Sequence, residues 1–132
     1  MVEINEALLH KLTALPKDLV GEANECEMTV QGKETLGLSD SGSQVSSMSQ
    51  SFFNENFEAE DLMPLDDLLH VTAAGGHDLP YHGYVLVDLA FGGKSYGDFP
   101  LLVVDDTAYN VRVPLLIGTN VLRKIKENLL SI

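Results

Sequence analysis

Apolar residues recur at helical spacing near the two ends of the chain, and at period two or in short runs between them. Near the start, Ile4, Leu8, Leu12 and Leu15, with Leu9 alongside, predict an amphipathic helix opened by Asn5-Glu6 and ended by Pro16. From Glu22 the character changes. Residues 26–30 and 34–38 alternate on either side of Gln31-Gly32-Lys33, which is the pattern of a β-hairpin. That hairpin delivers the chain to Ser39-Asp40-Ser41-Gly42-Ser43, a polar loop, and a further strand is expected over residues 44–48. Ser49 is placed to cap a short helix through Phe52-Phe53, and Pro64 interrupts the apolar positions that follow. Strands over residues 69–72 and 79–89 flank Ala73-Ala74-Gly75-Gly76; in the second, Val85, Val87 and Leu89 share one face. Gly92-Gly93 turns the chain toward an apolar run at 99–104, Asp105-Asp106 opens a loop, and residues 113–117 form a fully apolar strand. Gly118-Thr119-Asn120 then opens a final helix with Val121, Leu122, Ile125 and Leu129 on one stripe. The expected architecture is a mainly β domain over residues 22–132 with one C-terminal helix, preceded by an N-terminal helical extension over residues 1–21.

Length and charge narrow what such a domain can do. With 132 residues the chain closes one core but not two, and 45% hydrophobic residues suit a folded domain. The net charge of −12 argues against nucleic acid and against an anionic membrane surface as partners, since both are bound through Lys and Arg. Cys26 is the only cysteine, so no intrachain disulfide forms and an intracellular, reducing compartment is expected. No apolar run approaches the roughly 20 residues a membrane span needs, and the acidic opening lacks the form of a secretory signal.

Several clusters invite a chemical reading. His70, His77 and His82, with Asp78 and Asp88 nearby, fit no zinc-ligand spacing and are expected at the surface, so neither metal nor cofactor is expected. Asp66-Asp67 and Asp105-Asp106 adjoin loop signals, and adjacent strand residues face opposite ways, so solvated turns are expected there. The serines between positions 41 and 51 lack a Gly-x-Ser-x-Gly elbow. Tyr81, Tyr84 and Tyr96 suit a peptide groove or cross-strand packing equally well. Asp40-Ser41-Gly42 alone would read as a turn in which the aspartate caps its own backbone. Its context is more informative: it lies between apolar β segments, a glycine-tipped hairpin follows some thirty residues later, and an apolar-apolar-Gly run then precedes a helix.

The order of these segments, from Leu36 through Asp40-Ser41-Gly42 to Ser46, then Ala73-Ala74-Gly75-Gly76, then Leu115 through Gly118-Thr119-Asn120 to Leu122, resembles the retropepsin family of retroviral-type aspartic proteases. Within that family it is most similar to protease domains of LTR retrotransposons and their cellular derivatives. The resemblance covers roughly residues 22–130 and implies a closed β-barrel subunit. It also implies roles. Asp40 would be the catalytic aspartate. Ser41 would join two active-site loops across a dimer axis, and Gly42 would turn the loop beside substrate. Ala74, Gly75 and Gly76 would belong to a flap over bound peptide. Leu116, Ile117 and Gly118 would pack beneath the active-site loop, with Asn120 at the start of the supporting helix.

The chemistry then requires a homodimer. Hydrolysis by this route needs one carboxyl to take a proton from water and a second to protonate the scissile carbonyl. Carboxyls about 3 Å apart share one proton, and one copy of the motif supplies only one of them. The second Asp40 would come from a second chain across a twofold axis. The expected activity is that of a homodimeric aspartic endopeptidase acting on a polypeptide, in retroelement polyprotein processing or as a domesticated protease, in the cytoplasm or in retroelement particles. Ser39 departs from the family pattern, which usually has a buried apolar residue there, and Thr119 stands where several viral relatives carry Arg. These departures motivate a second reading, a retropepsin-like dimerisation or peptide-binding domain without turnover. A third reading is a structural β-domain.

Overall fold

The structure is a computed structural model that describes residues 24–66, 68–72 and 76–130. The helix expected over residues 4–15 lies outside the described residues. Six strands, β1 (Glu25–Val30), β2 (Lys33–Ser39), β3 (Ser47–Ser49), β4 (Tyr81–Phe91), β5 (Lys94–Val104) and β6 (Leu115–Ile117), close into a barrel in the order β1-β2-β6-β3-β5-β4. Helix α1 (Gln50–Asn56) follows β3, a 3-10 turn spans Ala59–Asp61, and α2 (Thr119–Leu130) follows β6. This is the mainly β, closed-barrel architecture with a C-terminal helix that the sequence implied.

Two hairpins make up most of the wall. The β1–β2 hairpin turns on Gln31-Gly32, with Val30 paired to Lys33. Gln31 adopts a left-handed φ of +50°. Its amide donates to the Asp88 carbonyl at 3.1 Å, and its side-chain oxygen accepts from the Asp88 amide at 2.7 Å. These bonds fasten the turn to β4 and offset the backbone strain. The long β4–β5 hairpin turns at Gly92-Gly93, between Phe91 and its partner Lys94.

Alternation sends one face of each strand inward. Val85, Val87 and Leu89 of β4 meet Phe99, Leu101 and Val103 of β5 in the core. Met28 and Val30 enter from β1, Met48 from β3, Leu115 and Ile117 from β6, and Val121 of α2 joins them. Phe52 and Phe53 of α1 are also buried there; Ser49 caps this helix by accepting from the Phe52 amide at 3.3 Å. Asp106 accepts from the Ser51 amide at 3.0 Å, so one member of the second acidic pair fixes a helix start. Among the described residues, no helix is long and apolar enough to cross a membrane.

Three boundaries differ from the sequence expectation. The strand expected over residues 44–48 is confined to Ser47–Ser49, because the preceding loop spends its polar groups on the start of α2. Residues 69–72 form no strand; they contribute one bridge, Thr72 to Asp78, and a bond from the Leu79 amide to the Val71 carbonyl at 2.8 Å. The apolar run at 113–117 enters its strand only at Leu115, since Pro114 has no amide to give a ladder.

Two measurements check this packing. Met48 is fully buried where β3 meets β5 and β6, so Met48→Ala should lower unfolding stability by about 2–5 kcal/mol in urea titration, and Met48→Leu by less than about 1.5 kcal/mol. Burial pushes the Cys26 thiol above its ordinary value. Less thiolate is then present near neutrality, so maleimide labelling should be slower than for a free peptide thiol and should accelerate as the pH rises.

Candidate active site

The placement of Asp40 begins in β2, which runs parallel to β6 with Gly37 beside Leu115, Leu38 beside Leu116 and Ser39 beside Ile117. One residue further, the Asp40 amide donates to the Ile117 carbonyl at 2.9 Å. Asp40 therefore sits at the end of a ladder that continues through its backbone. The chain then turns sharply: the Gly42 amide donates to Asp40 Oδ1 at 2.9 Å, and the Ser43 amide to the Asp40 carbonyl at 3.2 Å. Asp40 is half-buried, whereas Ser41 and Gly42 are exposed.

The far side of the loop is bound to the start of α2. The Thr119 amide donates to the Ser43 carbonyl at 2.8 Å, and the Gly118 amide to Ser46 Oγ at 2.9 Å. Ser46 Oγ in turn donates to Asn120 Oδ1 at 2.7 Å, while the Ser46 carbonyl accepts from the Leu102 amide at 2.9 Å. Ser46 is 1% exposed, so its hydroxyl supplies both a donor and an acceptor where water cannot. Gly118 is required by space. A Cβ there would lie 2.2 Å from the Val45 carbonyl oxygen and 2.7 Å from that of Ser43, and both are backbone atoms that cannot swing away. Ile117 is buried and Leu116 half-buried.

Above the loop, the segments around the Thr72–Asp78 bridge form the base of a hairpin, with Gly76 at a left-handed φ of +85°. Ala74 and Gly75 lie outside the described residues. A cleft of about 530 Å³ separates this base from the Asp40 loop, lined by Asp40, Gly42, Gln44, Val71, Thr72 and Leu79. A second, largely apolar cavity of about 420 Å³ opens beside it, sharing Leu79 and Leu116 with the cleft and walled further by Leu38, Val104, Val113 and Leu115.

The histidine and tyrosine candidates fall elsewhere. His70 pairs with Asp78 at 2.9 Å at the hairpin base, and His82 with Asp105 at 2.6 Å. His70 and Asp78 are both largely exposed, so that contact contributes little to stability. Among the described residues, no three His, Cys, Asp or Glu side chains are grouped to hold a metal ion. Tyr81 donates its hydroxyl to the Leu69 carbonyl, and Tyr96 packs edge-on against Phe91. Asp66 adopts a left-handed φ of +48°, a turn residue as expected, and Asp67 lies outside the described residues.

Sequence reasoning missed the part played by Ser46. It lies six residues after Asp40, and only the fold brings it to Gly118 and Asn120. Ser46→Ala would leave the buried Gly118 amide without its acceptor, so a loss of about 1–3 kcal/mol is expected in thermal or urea unfolding. Gly118→Ala should cost more, because the loop backbone itself must move.

No protein-family model matches the chain, and no curated protein matches it by sequence. Solved structures do match it in shape. The EIAV protease complexed with the inhibitor HBY-793 is similar with a TM-score of 0.62 at 13% identity, covering 85% of this chain and 95% of that one. The retroviral protease-like domain of Ddi1 from Leishmania major gives 0.60 at 18% identity, covering 81% and 80%. A retropepsin-like aspartic protease from Rickettsia conorii gives 0.51 at 11% identity, covering 75% and 68%. The chain has the fold of a retropepsin-like aspartic protease subunit.

Proposed function

We propose that this chain is one half of an aspartic endopeptidase, in which two copies bring their Asp40 carboxyls together across a twofold axis. The observation that carries this reading is the placement of Asp40. Its carboxyl lies in the wall of a cleft of about 530 Å³, oriented through Oδ1 by the Gly42 amide, below a hairpin base whose tip would close over substrate. The exposed Ser41 and Gly42 are the residues free to meet a second copy and a peptide backbone.

In the dimer, one carboxyl accepts a proton from water while the other donates one to the scissile carbonyl oxygen. The resulting hydroxide equivalent adds to the carbonyl carbon, and the tetrahedral intermediate then collapses with protonation of the departing amine. No covalent enzyme intermediate forms. The apolar cavity beside the cleft favours extended peptides with a hydrophobic side chain near the cut, and the net charge of −12 favours neutral or cationic segments. Processing of a retroelement polyprotein, or a cellular role derived from it, fits such a subunit.

Ser39 motivates the reading without turnover, but its placement gives that reading little support. The residue is only half-buried, and its amide donates to the Asn24 carbonyl at 2.8 Å, so its hydroxyl need not be sealed away from water. Purified protein should sediment as a dimer and cleave apolar-flanked peptides fastest in mild acid. Asp40→Asn should reduce kcat/KM by roughly 10³-fold or more, while the Met48 core and the unfolding midpoint stay near the parent's. A variant cleaving as fast as the parent would refute the assignment.

A further inference from the structure

Among the polar side chains that line the apolar cavity beside the Asp40 cleft, Ser47 differs from the rest. Asp105 is paired with His82 at 2.6 Å. Thr107 Oγ1 accepts from the Asn110 amide at 3.0 Å. Asn110 uses both ends of its amide group, accepting from the Thr107 amide at 2.7 Å and donating to the Asp105 carbonyl at 2.9 Å. The Tyr109 hydroxyl donates to Glu25 at 2.9 Å, and burial, reinforced by that bond, keeps it protonated above its ordinary range. The Ser47 hydroxyl has no hydrogen-bond partner among the described residues; Ser47 is 9% exposed, and since no sealed side-chain oxygen among those residues lacks a partner, the hydroxyl is reached by solvent.

Its direction follows from the strand. Met48, the next residue, fills the barrel core, so Ser47 projects to the opposite face of β3, where it is registered beside Leu116. Leu116 lines both the cavity and the Asp40 cleft, which places Ser47 in the wall of a space that adjoins the proposed reaction centre. The cavity that this hydroxyl faces is largely apolar. When an all-carbon side chain fills the cavity, that hydroxyl is desolvated without a partner; when the incoming side chain carries a donor or acceptor, it is satisfied.

We propose that Ser47 is a specificity-determining residue, through which the cavity selects a substrate side chain of apolar bulk bearing one hydrogen-bonding atom, as threonine does, over the all-carbon isostere valine. The proposal deepens the endopeptidase reading and rests on the cavity being a side-chain subsite of that cleft. The site recognises a hydroxyl on a branched carbon because Ser47 is short: its oxygen lies near the wall, leaving the remaining volume to methyl groups packed against Leu38, Val104 and Leu115.

The test uses the full chain and paired octapeptides that differ only by Thr or Val, moved through each position within four residues of the cut. At one position the parent should favour threonine, and Ser47→Val should shift the Thr/Val ratio of kcat/KM toward valine by roughly tenfold, leaving the ratios at other positions unchanged. Reduced-bond, non-cleavable versions of the same pairs give the ratio as Kd, independent of turnover. Should Ser47→Val not fold, Ser47→Ala serves the same comparison. Asp40-dependent cleavage with a ratio that neither variant moves at any position would overturn the subsite assignment and leave the endopeptidase reading intact. A shifted Kd ratio without cleavage of any peptide would uphold the assignment and overturn turnover. Peptides that neither bind nor are cut would overturn both.

Discussion

The parallel pairing of β2 with β6 is the constraint on which the rest of the structure depends. It carries the Asp40 amide onto the Ile117 carbonyl and sets the loop after Asp40 against Gly118 and Thr119. Polar groups of that loop are matched there: Ser43 through its carbonyl, Ser46 through both hydroxyl and carbonyl. A buried loop without those partners would carry several unsatisfied backbone groups, each costing on the order of a kilocalorie per mole or more. The barrel core supplies the rigidity, because β6 is itself fixed on its other side by β3. Asp40 is thus positioned by backbone geometry, and its carboxylate is left with one oxygen engaged by Gly42 and the other available to the cleft.

This arrangement was legible in the sequence to an uneven degree. The β1–β2 hairpin, the Ser49 cap, the long β4–β5 hairpin and α2 were visible because each is a local signal: a turn pair, a hydroxyl before an apolar helix, a period of two or of three to four. The motif order around Asp40 and Gly118 pointed to the barrel, and the similar solved folds agree with it. What escaped was set at long range. Residues 44–46 have strand-like composition yet form a loop, since Ser46 finds its partners 72 and 74 positions away. Residues 69–72 look like a strand but, among the described residues, have one bridge, Thr72 to Asp78, and one backbone bond, from Leu79 to Val71. The 3-10 turn at Ala59–Asp61 carried no apolar period to announce it.

Ser39 and Gly118 show how a sequence departure and a sequence match acquire different weights once the fold is known. Serine in place of an apolar residue beside Asp40 suggests a loosened loop, but position 39 is half-buried and its amide is bonded outward to Asn24. Glycine at 118 reads in the sequence as a helix-start preference, yet it is demanded by two carbonyl oxygens within 3 Å of where a Cβ would stand. Substitution matters at the second site and is tolerable at the first because one environment is backbone and the other opens to water.

The partners of the β2–β6 pairing lie 78 positions apart in the chain. Contacts of that separation form late, because loop closure must precede any gain from them. During synthesis, β1 and β2 can pair as soon as they emerge, but the Asp40 amide has no acceptor until Ile117 has been made, and the loop has no anchor until Gly118 and Asn120 follow. The loop that carries Asp40 is therefore completed only after Ile117, Gly118 and Asn120 have been made. Topology alone thus makes the Asp40 loop one of the last parts of the barrel to take its shape.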